Sequence, residues 1–293
     1  MPKVICFANM KGGVGKTTLC VNLAFEMFLT GKNVLIVDND PQFNATSALL
    51  KPAKYLDDVL KNETRSTIYH VYEKEPRVLG AKPKARDPQS FLFSRYKLRS
   101  GKGQLSVIPS QIELYETLRN PSQKEYLLDR FLTNHCSHFD YIFIDCPPTP
   151  SVLTLSAFAA SDYVIIPVRP DYYSTLGLPQ FLGTLEDFKE DQVDGHKIDP
   201  LGVVFTNVPR VKSPETVASM RRVSEALAAA PFNVPVFKHQ MSCYKVYEKA
   251  LWQASPVSQV RGKGSAARDE AAAELQGIAL EMTQLIDTIA KKK

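Results

Sequence analysis

The stretch "KVICFANMKGGVGKTT", residues 3 to 18, constrains the fold more than any other part of the chain. A short apolar run of β-formers ends in a glycine-rich turn, and "TTLCVNLAFEMFLTG" (17–31) follows with helical periodicity and stops at Gly31. Next, "NVLIVDND" (33–40) is a second buried run that ends in acidic residues. Strand, loop, helix and strand in this order make a β-α-β unit, which requires parallel strands and a right-handed crossover.

The rhythm continues along the chain. "QLSVIPS" (104–110), "DYIFIDCPP" (140–148), "SDYVIIPV" (161–168) and "DPLGVVFTNV" (199–208) read as further buried strands. Helical stretches are predicted at 112–118, 123–136, 151–160, 174–190 and 214–229. Strands without polar alternation, interleaved with helices, predict a doubly wound, mostly parallel α/β sheet covered on both faces. A chain of 293 residues with 44% hydrophobic content can bury such a core as a single domain. A last helix is predicted at 265–290, with Leu275, Ile278, Met282, Leu285, Ile286 and Ile289 on one side.

Residues 73–103 break the pattern. Between Arg77 and Lys102 eight basic residues face one acidic residue, Asp87, a local excess larger than the net +5 of the whole chain. With Pro76, Pro83 and Pro88, the segment is predicted to be an exposed excursion, containing a short ordered piece at 91–98. It could add nucleic-acid contacts, dock a partner or simply be a solvated loop.

Five cysteines stand singly, without metal-ligand spacing, and fit reduced thiols in or near the core. No window approaches eighteen apolar residues, and the first strand begins without a signal-peptide pattern, so a cytoplasmic protein is expected.

The chemistry lies at the strand ends, where doubly wound folds bind ligands. In "KGGVGKTT" the glycines at 12, 13 and 15 allow consecutive backbone N–H groups, that of Val14 among them, to turn toward phosphate oxygens at a helix N-terminus. Lys16 would neutralise the β- and γ-phosphates of ATP, Thr17 would place its hydroxyl on Mg2+, and Thr18 would reach the α-phosphate. Asp145, after "YIFI", stands where a carboxylate is needed to hold a magnesium-bound water. Asp38 and Asp40 end the second strand, so one could support the metal shell and the other orient an attacking water. The loop is unusual: the general G-x-x-x-x-G-K-[ST] pattern would put glycine at position 10, where this chain has Met10, with a second lysine, Lys11, beside it.

"KGGVGKTT", "DNDPQFNAT", "YIFIDCPP" and "PVRPDYYSTLGL" resemble, in order and spacing, the ParA/MinD family of deviant Walker ATPases, and the Soj-like partition branch in particular. The resemblance spans most of residues 1–260. It implies an ATP-dependent sandwich homodimer in which Lys11 reaches the partner's nucleotide. It also implies Lys16 and Thr17 as phosphate-loop lysine and magnesium ligand, Asp38 and Asp40 as switch carboxylates with Asp40 supporting hydrolysis, and Asp145 as the Walker B aspartate. A lysine at the mouth of a loop whose phosphates already have Lys16 would be left over in a monomer; across a dimer it adds positive charge where the transferred phosphoryl gathers negative charge.

Asn207 resembles the base-contacting asparagine of some members, with Pro209 flanking the ring. The resemblance further implies non-specific DNA binding, nucleoid association and a ParB-like stimulating partner. Its basic surface maps to Arg210, Lys212, Arg221, Arg222, Lys238, Lys245, Lys249, Arg261 and Lys263, with Arg210, Lys212, Lys245 and Lys249 the principal candidates. Cargo could be a plasmid, a chromosome or a protein assembly. A MinD-like membrane switch is the alternative, but the 265–290 helix lacks aromatics and carries acidic residues on its polar face, which fits a packing helix better than a membrane anchor. Members with an iron–sulfur cluster need cysteines missing here, and the amide-forming ligases lack the full "KGG" lysine with "DxDPQ". No helix-turn-helix region precedes the phosphate loop, so specific operator binding is not expected.

Overall fold

The computed structural model describes residues 1–73, 86–191, 198–229, 234–262 and 265–291. Among the described residues seven strands form one sheet: β1 (Lys3–Phe7), β2 (Asn33–Asp38), β3 (Phe93–Lys97), β4 (Gln104–Ile108), β5 (Tyr141–Asp145), β6 (Tyr163–Val168) and β7 (Asp199–Phe205). Their order is β3-β4-β2-β5-β1-β6-β7, and every pairing is parallel except β3 with β4. The longer helices are α1 (Lys16–Leu29), α2 (Asn44–Leu49), α3 (Leu127–His135), α4 (Val152–Ala159), α5 (Tyr172–Glu190), α6 (Pro214–Ala228), α7 (Val246–Gln253) and α8 (Ser265–Ala290).

Alternation along the strands feeds two cores, so the strands look uniformly apolar although each side chain serves one face. Ile5 and Phe7 of β1 pack with α1, α2, α7 and α8, while Val4 and Cys6 pack with α3 to α6. On α8, Leu275, Ile278, Met282 and Ile286 are all at most 1% exposed, and Leu285 and Ile289 flank them. The apolar face of that helix is spent on the core. Among the described residues no helix is long and apolar enough to cross a membrane.

The structure differs from the sequence reading in the basic segment. Residues 93–97 are an edge strand, preceded by a short 3-10 turn at Pro88–Phe91, so the exposed excursion is narrower than 73–103; residues 74–85 lie outside the described residues. The short α2 and α7 also went unread, being too brief for a periodic signal. Cys6, Cys20, Cys136 and Cys146 are buried as expected, but Cys243 is exposed.

Parallel pairing puts the carboxyl ends of β1, β2 and β5 side by side. Register sets Phe7 against Asp145 and Asp38 against Asp145. The loop after β1 therefore stands over two aspartates.

Candidate nucleotide-binding site

The loop between β1 and α1 is braced from both sides. Asn9 donates to Pro167 O at 2.8 Å and accepts from Lys11 N at 3.0 Å, while Thr206 Oγ1 donates to Val14 O at 2.5 Å. Gly15 has φ +84°, and a Cβ there would lie 3.1 Å from Met241 Cε, so both backbone sign and space favour glycine. With Gly15 at its N-cap, α1 directs its N-terminal amides toward the pocket.

A cavity of about 510 Å³ opens over this loop, walled by Gly12, Gly13, Gly15, Lys16, Thr17, Thr18 and Asp40 at one end. Asn207, Met241, Tyr247 and Leu251 also line it, with Gln42, Asn44, Ser47 and Pro148. Asn207 adopts φ +50° and reaches Gly13 O at 3.4 Å. Pro209, expected beside the base, is not among the lining residues; Met241 stands against the loop instead. Met241, Tyr247 and Leu251 had no signal in sequence, because long-range packing of α7 on α2 brings two of them to the wall.

Beneath the loop, Thr17 Oγ1 donates to Asp145 Oδ2 at 2.6 Å. Asp145 Oδ1 is buried and has no hydrogen-bond partner. Burial, with Asp38 close by, pushes the Asp145 carboxyl well above the usual range, and burial pushes Asp38 up to about 7 against the pull of Thr46. Asp40 is raised by burial too, opposed by the Gln42 amide and Lys16. Burial pulls the Lys16 ammonium below the usual lysine range, opposed chiefly by Asp145. Ionised together, three carboxylates beside one lysine would leave an excess of negative charge, which a divalent cation would offset.

The donor set fits magnesium of a particular kind. No group of three His, Cys, Asp or Glu among the described residues could hold a metal ion. A hydroxyl and an unpartnered carboxylate oxygen suit magnesium that takes most of its ligands from phosphates and water. Asp38 is less suited to direct coordination than expected. Its Oδ2 already accepts from Thr46 N and Oγ1, both at 2.7 Å, so it anchors α2 to the strand end.

Lys11 corrects the sequence reading. The ammonium expected to be left over in a single chain has partners of its own: Nζ lies 2.6 and 2.8 Å from the two carboxylate oxygens of Asp171 and 3.3 Å from Ser174 Oγ. It also lies 5.7 Å from the Tyr173 ring centroid. Asp171 is the N-cap of α5, accepting from Ser174 N at 2.8 Å. Burial alone would raise its carboxyl, but the hydrogen bonds from Lys11 and Ser174 outweigh that and hold it below the usual range. Lys16 Nζ points the other way, donating to Lys11 O at 3.1 Å. The two lysines thus serve different places: Lys16 the floor of the cavity, Lys11 its outer rim, beside exposed Tyr172, Tyr173 and Leu176.

The basic candidates are divided. Arg210 is paired with Glu270 at 3.1 Å and sits over the Tyr244 ring, and Lys212 donates to Gln240 Oε1 at 3.0 Å. Lys245 is exposed and lines a small cleft with Lys249 and Arg268. Arg221 is paired with Glu225, Arg222, Lys238 and Arg261 lie elsewhere on the surface, and Lys263 lies outside the described residues.

Comparison with known proteins places the chain among partition ATPases. A family model described as an AAA domain matches residues 2–198. The chain is 31% identical over 218 residues to the chromosome partitioning protein ParA of Caulobacter vibrioides, covering 72% of each. It is 37% identical over 192 residues to the sporulation initiation inhibitor protein Soj of Bacillus subtilis. That match takes in 63% of this chain and 65% of Soj, so the chain spans just under two thirds of that relative's length. Among solved structures, pNOB8 ParA bound to nonspecific DNA shares the fold, with TM-score 0.72 and 20% identity over 98% of this chain and 99% of that one.

Proposed function

The chain belongs to the ParA/MinD family of partition ATPases, and from that premise we propose that it hydrolyses ATP with magnesium as a homodimer that binds DNA without sequence preference. The observation that carries this reading is the separation of two lysines across one phosphate loop, Lys16 turned inward and Lys11 turned out to the rim at the foot of α5. A rim lysine adds nothing to its own loop's cradle but can reach a nucleotide presented by a second chain.

In this reading Lys16 and the amides of residues 12–18 bind the phosphates. Thr17 and Asp145 would hold the magnesium, which would supply positive charge to offset that of the phosphates. Asp40, on the pocket wall and fixed by Gln42 N at 2.9 Å, orients the attacking water for in-line displacement. Lys11 meets the developing charge from the partner chain, and a ParB-like protein accelerates the step. Asn207 and Met241 flank the base. DNA contact falls to Lys245 and Lys249, with Lys212 and Arg210, the last after release from Glu270. The cargo is a replicon, consistent with the partition names of the relatives.

Retention on duplex DNA tests this directly. With ATP and magnesium, retention should be strong at low salt and fall steeply as salt rises, as phosphate contacts release counterions. It should be weak with ADP or without nucleotide, and anionic liposomes should retain nothing, because the apolar face of α8 is buried. Equal retention in all nucleotide states, or liposome binding with ATP, would count against the proposal.

The Lys11–Asp171 pair gives a second expected result. Dimerisation must exchange one carboxylate for the partner's more highly charged phosphates, so the pair opposes dimerisation by about 1 kcal/mol, as expected for a partly exposed ion pair. Asp171→Ser removes the charge but keeps an oxygen to cap α5. The ATP concentration at half-dimerisation should then fall about fivefold. An unchanged or higher midpoint by light scattering would contradict this role of the Lys11–Asp171 pair.

A further inference from the structure

Beyond the nucleotide site, one arginine ties two helix ends to the sheet edge. Arg95 Nε donates to Leu49 O, at the end of α2, at 2.6 Å, and Nη2 donates to Ala254 O, just past α7, at 3.4 Å. The register of β3 shifts between Ser94 and Tyr96, an irregularity of the kind that re-aims a side chain on an edge strand. The Arg95 guanidinium also lies 4.7 Å from the Tyr96 ring centroid.

Around this post runs a groove of about 570 Å³ whose walls include Lys51, Arg95, Tyr96, Trp252, Gln259 and Arg261. No carboxylate is among its lining residues. Trp252 is 89% exposed and is the sole tryptophan of the chain. The Arg261 rim is fixed to α7, since Gln253 Nε2 donates to Arg261 O at 3.0 Å and Gln253 Oε1 accepts from Arg261 N at 2.9 Å. The Arg95 side chain and the Arg261 backbone are therefore held in place.

Tryptophan, tyrosine and arginine are the residue types that dominate the centres of protein interfaces, with charges at the rim. Two of the Arg95 donors are spent on carbonyls, so this residue offers a flat, ring-stacked floor more than a fork for phosphate. Free charge is left at the edges, on Lys51 and Arg261. Two rim cations around one exposed ring, Trp252, and one partly buried ring, Tyr96, match a peptide with carboxylates flanking an apolar side chain; a nucleic-acid backbone would need a longer row of free cations.

We propose that this groove docks an acidic segment of a partner protein, with glutamates or aspartates on Lys51 and Arg261 and a leucine or aromatic side chain against Trp252 and Tyr96. The groove shares its elements with the nucleotide site. Leu251 of α7 lines the nucleotide cavity while the next residue lines the groove; α2 carries Thr46, which holds Asp38, and ends at Leu49, which Arg95 holds. A segment seated here bears on the switch side of the nucleotide pocket.

Trp252 supplies its own readout. The full-length chain is titrated with a synthetic peptide of about twelve residues, glutamate-rich with leucine and phenylalanine at alternate interior positions. Parallel titrations use the same peptide with lysine for glutamate, polyglutamate, and duplex DNA. The glutamate–leucine–phenylalanine peptide should shift the tryptophan emission to shorter wavelength and saturate, and Lys51→Glu should weaken it by about tenfold, equivalent to roughly 1.4 kcal/mol. The lysine peptide should leave the emission unchanged. Lys51 is exposed, and an unchanged thermal melt would show that this variant is folded. The proposal is overturned if the acidic peptide leaves the emission unmoved, if polyglutamate acts equally well, if the lysine peptide acts at all, or if duplex DNA shifts the emission and displaces the peptide.

Discussion

Lys11→Ala should bind ATP within about threefold of the parent chain yet lose at least two orders of magnitude in turnover, the usual cost of removing one group aimed at transition-state charge. Affinity survives because the local phosphate cradle does not use the Lys11 side chain. Lys16, Thr17, Thr18 and the glycines line the cavity, whereas the Lys11 ammonium sits on Asp171 at its rim. Turnover fails because the charge that should meet the partner's phosphates is gone. The variant also removes the partner of Asp171, so a small loss of stability, no more than about 1 kcal/mol, accompanies it. Parental turnover with parental dimerisation, followed by phosphate release and light scattering, would remove Lys11 from the mechanism.

Asp40→Ala should fail at a different step. Its carboxylate is on the pocket wall and steadied by the Gln42 amide, in a position to orient water, while the phosphate cradle and Lys11 are untouched. Loss of a positioned general base costs about two to four orders of magnitude. ATP should therefore be bound and the dimer formed, but hydrolysed so slowly that the complex persists. Hydrolysis within tenfold of the parent rate would reassign the water-orienting role.

Much of the frame was legible because parallel strands buried on both faces leave continuous apolar runs, and because glycines with a lysine and two threonines admit few readings between a strand and a helix. Asp38 and Asp145 could be placed at one crevice because each ends a parallel strand, and the structure pairs them in register. The ordered piece expected at 91–98 holds β3, but its place as an edge strand of the sheet was not legible, because its burial alternates irregularly among basic residues and it pairs on one side only. The Lys11–Asp171 pair spans 160 residues, a distance over which no local pattern speaks. The commitment of Asp38 to Thr46 was likewise invisible, since α2 is too short to announce itself.

The far wall of the cavity shows the same limit. Met241 lies between two isolated bridge residues, Val236 and Ser242, outside any strand, and Leu251 reaches the pocket through the packing of α7 on α2. Asn207 could be placed by its strand end; its neighbours could not.

The central claim is that a lysine tied up within one chain serves the nucleotide of another. Sedimentation equilibrium of the Asp40→Ala chain tests it most directly, because slow hydrolysis holds the ATP state for the duration of the run. With ATP and magnesium the mass should be twice the 32.7 kDa of one chain, and it should return to 32.7 kDa with ADP or when Lys11→Ala is added. A 32.7 kDa species with ATP bound one per chain, or a dimer that survives Lys11→Ala, would contradict the account.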